Sequence, residues 1–187
     1  MKTRTSFLKT GLFMLVVLTI AVLITAVGSA HATPVPSEQT HEALLSKQVH
    51  HELVMLPWYG VFDNLQYTIN GSEVTLSGQV FQPITKSDAA AAVRRLEGVT
   101  RVVNEIVVLP LSPFDNQIRR AEFRAIFTDT TLSRYSMGAV PTIHIVVDHG
   151  HVTLEGAVSN EMDRHIANIR ANSVPGVFSV TNNLRVA

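Results

Sequence analysis

The second half of the chain contains a group of side chains that could bind a metal ion. His149 and His151 flank one glycine, Asp148 precedes them, and His144 lies four residues before Asp148. Imidazole nitrogen is the commonest protein ligand for transition metals, and a carboxylate oxygen can complete such a set. The residue types therefore raise a metal site as a hypothesis.

The strand pattern around these residues argues against that site. A hairpin that turns at residues 149–150 places Asp148 opposite His151. The same register places His144 opposite Glu155. We interpret both as cross-strand pairs on the solvent side, which leaves no clear third or fourth ligand. The sequence thus predicts no metal and no other cofactor.

Two arginines are spaced so that they could hold an anionic group. Arg120 and Arg124 are four residues apart, so on a helix they share one face and can present paired donors to a phosphate. Asp115, Arg119 and Glu122 lie among them. We therefore predict a solvated face of mixed charge, with an anion site as the alternative.

Residues 56–63 form an aromatic segment that contains the single tryptophan, Trp58, together with Tyr59 and Phe62. Indole and phenol rings suit the membrane–water interface, because they combine an apolar body with a polar edge. The three side chains are candidate contacts with lipid or with a protein partner. In the alternative interpretation, the segment folds back and closes the end of a small core.

Motifs that carry catalysis are missing from the sequence. It contains no nucleophile elbow, phosphate-binding loop, paired zinc histidines or Rossmann glycines. The absence of cysteine also excludes thiol nucleophiles, thiolate metal sites and disulfides. We predict a non-enzymatic protein with no catalytic residues.

The N-terminus has the order of a secretory signal. Three basic residues precede an apolar run over residues 12–24, and a stretch of small residues ends at Ala32. We predict cleavage after Ala32 and export to the periplasm, with residues 33–41 as a flexible N-terminus. An uncleaved inner-membrane anchor over residues 10–30 stays open, because about 20 uncharged residues can span a bilayer.

Removal of the signal changes the charge balance of the protein. The full chain has 15 basic and 15 acidic residues, but three of the basic residues and none of the acidic ones lie before Ala32. The mature chain therefore has a net charge of −3. This balance excludes the basic footprint of a nucleic-acid-binding protein, and it gives no general attraction to anionic lipid.

The mature sequence repeats itself at an offset of 78 residues. Residues 71–80 (GSEVTLSGQV) align with residues 149–158 (HGHVTLEGAV), and residues 96–108 align with residues 174–186 without insertion. Two segments that stay in register in this way indicate a tandem duplication.

Each copy predicts the same order of elements. A helix comes first, and its apolar residues recur at helical spacing: Leu45, Val49 and Leu53 in copy one, and Ile118, Ala121 and Ala125 in copy two. A hairpin of alternating strands follows, with its turn at Asn70–Gly71 in copy one. A second helix then ends near Gly98 or Gly176, where a positive φ is expected, before a last β-branched strand.

The predicted fold class is therefore α+β, with two tandem α-β-β-α-β modules. Each module is expected to pack two helices on one face of a three-stranded mixed sheet, since a crossover helix makes the second and third strands parallel. We place the modules at residues 42–109 and 116–187, with a proline-containing linker at residues 110–115. Modules of about 70 residues are marginal alone, so the two are expected to pack together.

Both copies resemble the BON domain, a family named for an osmotically inducible periplasmic protein and for nodulation proteins of bacteria. The family pattern is a Val-x-Leu-x-Gly-x-Val strand, a helix, and then Gly-Val-x-x-Val-x-Asn-x-Leu/Ile-x-Val. Its signature positions are occupied by Gly78, Gly98 and Asn104 in copy one and by Gly156, Gly176 and Asn182 in copy two. We interpret the two asparagines as amides that satisfy backbone groups, not as catalysts.

The resemblance implies a module of the periplasm or envelope that binds phospholipid or another envelope component, with a link to osmotic stress. It carries over no catalytic residue, because the pattern residues are chiefly structural. The alternative function is a structural or protein-interaction scaffold that does not bind lipid.

Overall fold

The computed structural model describes residues 38–138 and 140–187. The predicted signal segment, its cleavage site and its anchor alternative lie outside these residues. Within the two described ranges, no helix combines the length and the hydropathy needed to cross a bilayer.

Two modules follow each other with the same order of elements. The first module consists of α1 (Glu38–Val54), β1 (Asn64–Asn70), β2 (Glu73–Val80), α2 (Pro83–Arg94), β3 (Arg101–Asn104) and β4 (Val107–Val108). The second module consists of α3 (Pro113–Phe127), β5 (Ile143–Asp148), β6 (His151–Val158), α4 (Glu161–Asn172), β7 (Ser179–Asn182) and β8 (Arg185–Val186), with a short 3-10 helix (Ser133–Ser136) before β5. The predicted tandem α+β architecture is confirmed.

Each sheet is mixed, as predicted, and its central strand is the second one of the hairpin. β2 pairs antiparallel with β1 and parallel with β3 and β4, and β6 is bonded in the same way to β5, β7 and β8. The parallel pairing follows from the crossover helix, which returns the chain to the end of the sheet where the previous strand began.

The third strand of each module is interrupted by a signature asparagine. Asn104 donates from Nδ2 to the Lys86 carbonyl in α2 and accepts at Oδ1 from the Ile106 amide, which joins helix and strand. Asn182 makes the same pair of bonds, with the Arg164 carbonyl and the Leu184 amide. The sequence predicted one continuous strand here, whereas the structure divides it into two short ones.

The signature glycines in the hairpins allow two backbones to approach closely. A Cβ at Gly78 would lie 2.0 Å from the Asn64 carbonyl oxygen, and a Cβ at Gly156 would lie 2.0 Å from that of Thr142. Both glycines also have positive φ, at 100° and 112°. A larger residue would therefore need a backbone shift at either position.

Each module has its own apolar core between its helices and its sheet. Leu45, Val49 and Leu53 of α1 pack with β2 and α2 in the first module. In the second, Ile118 and Ile126 of α3 pack with β5, β6 and α4. Ala121 and Ala125, which the helical spacing predicted to share the stripe of Ile118, are only partly buried.

The helices begin earlier than the sequence predicted, and the first hairpin turns one residue later. α1 includes residues 38–41, which the sequence interpretation assigned to a flexible N-terminus, and α3 includes residues 113–115, which it assigned to the linker. Pro113 starts α3 because its fixed φ suits a first helical turn, and the Ser112 hydroxyl caps the Asp115 amide. Asn70 pairs with Glu73, so the hairpin loop is residues 71–72.

Candidate functional site

The segment between α1 and β1 divides into an exposed tip and an anchored part. The side chains of Met55 and Trp58 are 65% and 57% exposed. Beyond them, Asp63 is buried and accepts hydrogen bonds from the Gly60 amide (2.9 Å) and the Phe81 amide (2.6 Å). Burial raises the pKa of Asp63, although these two donors oppose the shift. Asp63 thus closes the segment into a fixed loop that presents Trp58.

The anchored part of the segment joins the two modules. The Tyr59 ring stacks on His144, and the Phe62 ring meets Phe123 edge to face at 6.4 Å. The Ile145 amide donates to the Val61 carbonyl at 2.7 Å. We call this set of contacts the module junction. The sequence interpretation grouped Tyr59 and Phe62 with Trp58 as surface contacts. In the structure, they lie in the module junction and not in the exposed tip.

His144 corrects a second expectation from the sequence. It pairs with Glu155 in the predicted register, but it is buried with 9% of its surface exposed, not on the solvent side. Its Nδ1 lies 3.3 Å from the Gly60 carbonyl and its Nε2 lies 3.4 Å from the Tyr59 hydroxyl. Burial lowers the pKa of His144, so we assign a neutral ring with the proton on Nδ1.

The charged residues of α3 were predicted to form a solvated face, and this prediction is wrong for three of them. Asp115, Arg119 and Glu122 are buried. Asp115 accepts from the amides of His149 and Gly150 and so caps the second hairpin. These three side chains share the core-facing side of the helix with Ile118. A search for apolar residues alone does not find them, because they are charged.

Arg119 reaches from α3 to both modules. Its Nη2 donates to the Val147 carbonyl at 2.5 Å, and its guanidinium lies 4.9 Å from the centroid of the Phe81 ring. Such a contact combines a cation–π attraction with a charge-assisted hydrogen bond. Burial lowers the pKa of Arg119, while Asp115, Asp148 and Asp63 act in the opposite direction.

Glu122 is the buried acid without a partner. Neither carboxylate oxygen has a hydrogen-bond partner within the described residues. Desolvation raises its pKa to about 8, because no neighbouring charge compensates the loss of water. The side chain is therefore mostly protonated at neutral pH.

Arg120 and Arg124 lie on the opposite side of α3 and are exposed, which agrees with the predicted shared face. They border a shallow groove of about 370 Å³ together with Phe114, Ala121 and Pro175. An anion could approach both guanidinium groups from solvent.

The histidines of the hypothetical metal site point to different partners. His149 Nδ1 lies 2.6 Å from Asp148 Oδ1, His151 Nδ1 lies 2.7 Å from Ser179 Oγ, and His144 belongs to the module junction. Among the residues that the structure describes, no three His, Cys, Asp or Glu side chains converge in a way that could hold a metal ion.

A cleft of about 800 Å³ opens beside the module junction. β1 lines one wall with Asn64, Gln66 and Tyr67. α1 adds Ser46 and His50, and the sheet of the second module adds Glu155, Asn183 and Arg185. Tyr59 and His144 of the module junction also line the cleft. The sequence analysis did not find this cleft, because it depends on how the modules dock.

Comparison with known proteins gives a family and several remote structural likenesses. The C-terminal domain of CdsD, the structural protein of the type III secretion system of Chlamydia trachomatis, is similar over 76% of this chain and 97% of its own, with 13% identity and a TM-score of 0.31. A second structure of CdsD is similar over 77% and 93%, with 14% identity and a TM-score of 0.29. Likenesses at this level support no statement about this chain, and no curated protein matches it.

The family comparison is more informative than these structures. The BON domain model matches residues 42–110 and 132–187, which together make up more than half of the chain and fall one in each module. Both matches include the signature glycines and asparagines whose structural roles are described above. The chain therefore belongs to the BON domain family.

Proposed function

We propose that this chain is an exported, non-enzymatic protein of the cell envelope that associates peripherally with phospholipid through the tip formed by Met55 and Trp58. BON domains are non-catalytic binding modules of the periplasm or envelope. That membership supports binding over turnover, and the exposure of the tip supports lipid as the surface bound.

The single observation that carries the proposal is the exposed Trp58 on an anchored base. Asp63 and the module junction hold the loop, so little conformational freedom is lost when the tip meets a surface. An indole ring suits the interfacial region of a bilayer. Full burial of a large apolar side chain contributes about 1.5–3 kcal/mol, so two such residues give weak and reversible binding.

The test uses Trp58 as the reporter, since it is the only tryptophan in the chain. Residues 36–187, which form one compact unit, are titrated with vesicles of neutral and of anionic phospholipid while the emission of Trp58 is recorded. A saturating blue shift is expected. Met55→Ser should raise the lipid concentration at which the shift is half-complete at least threefold, because the tip then buries less apolar surface in the bilayer.

Met162→Ser provides the matched control, because Met162 in α4 is 67% exposed and lies outside the loop. This variant should bind vesicles as the parent does. An emission spectrum that no vesicle changes would refute lipid binding through the tip. The protein would then be assigned to the alternative function, a scaffold that contacts other envelope proteins.

We further propose Arg120 and Arg124 as contacts for lipid phosphate. Each basic residue near an anionic surface contributes about 1 kcal/mol, so the double variant Arg120→Gln/Arg124→Gln should weaken binding to anionic vesicles roughly 10- to 30-fold at low salt. The double variant Arg94→Gln/Arg95→Gln removes two exposed charges from the end of α2 and serves as control. Equal losses in both variants would show that only net charge matters.

Export itself rests on the N-terminal sequence. We propose that a signal peptidase cuts after Ala32 and releases the protein into the periplasm. N-terminal sequencing of the protein recovered from the expressing cell should begin at Thr33. Recovery of residues 10–30 with the membrane fraction would instead support the inner-membrane anchor.

A further inference from the structure

The edge strand of the second module is bonded by one backbone group of the first module and by one side chain of α3. β5 lies at the edge of its sheet, and its Ile145 amide donates to the Val61 carbonyl. The Val147 carbonyl accepts from Arg119. Since neither group bonds to β6, both point outward from the sheet. The docked segment also covers His144, and the first five residues of β5 are all buried.

β1 is the counterpart of β5 in the first module, 78 residues earlier, and its edge is not covered in this way. Tyr67 and Ile69 occupy the places of Ile145 and Val147. Among residues 38–138 and 140–187, no backbone group outside β2 bonds to the main chain of either. After the buried Asn64, partly buried and exposed residues alternate along β1, whereas the first five residues of β5 are all buried.

The first part of β1, from Asn64 to Tyr67, lines the cleft beside the module junction. Gln66 is exposed there, and Tyr67 lies next to it with its hydroxyl held by Ser46 of α1. The opposite wall carries one acid, Glu155, and one base, Arg185. A volume of about 800 Å³ accommodates several residues of extended chain.

We propose that this cleft binds an extended polypeptide segment, which adds to the edge of β1 as a further strand. Main-chain groups of β1 supply donors and acceptors at strand spacing, and alternate side chains of the segment would face the two walls. In the second module, the same edge already makes a main-chain hydrogen bond to another segment, the turn at residues 60–63. The polar lining and the two opposite charges favour a polar segment over an acyl chain.

The probe is a peptide selected from random seven-residue sequences displayed on phage and panned against immobilised residues 36–187. Hydrogen exchange of the outward-facing amides of Tyr67 and Ile69 should slow at least tenfold when the synthetic peptide saturates the protein. A side chain that fills the cleft, in Gln66→Arg, should weaken binding at least tenfold. Gln48→Arg is the matched control, because Gln48 is an exposed glutamine of α1 outside the cleft and its variant should bind within twofold of the parent.

Main-chain pairing has its own signature in the peptide. N-methylation of the residue that faces Tyr67 should weaken binding at least tenfold, because it removes one ladder hydrogen bond and adds bulk at the edge. Selection that enriches no peptide, or a peptide that binds the Gln66→Arg variant as tightly as the parent, would overturn the proposal. So would protection of Tyr67 and Ile69 by an N-acetylglucosamine tetrasaccharide but by no peptide, since the cleft would then belong to a glycan.

Discussion

The Tyr59 ring stacks on the imidazole of His144 across the module junction, with ring centroids 5.4 Å apart and planes inclined by 24°. Burial raises the pKa of Tyr59 to about 12 and lowers the pKa of His144. Both rings are therefore neutral at pH 7, and the contact joins the modules without a charge. The behaviour of this pair should report on the docking of the whole protein.

Removal of both rings should lower the free energy of unfolding by less than the sum of the two single effects. We expect a coupling free energy of about 0.5–1.5 kcal/mol between Tyr59→Ala and His144→Ala, as for other stacked aromatic pairs. Urea unfolding of residues 36–187 for the parent, both single variants and the double variant measures it. Tyr59→Ala combined with Gln48→Ala provides a pair that should be additive. Additivity for His144 as well would mean that the stacking contributes nothing to stability.

Acid should loosen the module junction through His144. The folded-state pKa of this group lies below its usual value of 6.5, so the unfolded chain binds the proton more readily. The free energy of unfolding should therefore fall as the pH drops below about 6.5 and through the lower folded-state pKa. His144→Gln should flatten this slope, whereas replacement of the exposed His165 by Gln should leave it unchanged. Equal slopes in parent and His144→Gln would contradict the assignment.

Glu122 should act in the opposite pH range. Its folded-state pKa of about 8 exceeds the ordinary value of 4.5, so the folded protein holds a proton that the unfolded chain has lost. The contribution of Glu122 to the free energy of unfolding is full below pH 4.5 and is lost progressively between pH 4.5 and about pH 8. The total loss is at most about 5 kcal/mol. Urea unfolding at pH 5 and pH 9 should show the loss directly.

The uncharged variant isolates this effect. Glu122→Gln should unfold at similar urea concentrations at pH 5 and pH 9, apart from the contributions of other groups. Glu97→Gln removes an exposed carboxylate and should keep the full pH dependence of the parent. If Glu122→Gln retains that dependence too, the buried carboxylate does not cause it.

The internal repeat made the fold predictable, whereas the docking of the modules was not. The strand pattern around residues 149–150 predicted the register of the second hairpin correctly, including the pairing of His144 with Glu155. The first hairpin turns one residue later than its Asn70–Gly71 signal predicted. What buries His144 is the first module, a contact that no local pattern encodes. One signal was available: β5 carries Val146 on its outer face where β1 carries Thr68, and a strand that is apolar on both faces is usually covered on both.

The two signature asparagines should contribute equally to their modules. Each side chain donates to a helix carbonyl and accepts from a backbone amide two residues later, so replacement leaves two partly buried groups without partners. Asn182→Ala and Asn104→Ala should each lower the free energy of unfolding by about 1–3 kcal/mol. Asn183→Ala is the matched control, because this exposed neighbour bonds only the Glu155 side chain through its own side chain, and its loss should cost under about 0.5 kcal/mol. A difference of less than about 0.5 kcal/mol between Asn182→Ala and Asn183→Ala in urea unfolding would mean that the family asparagine is not a structural requirement of this fold.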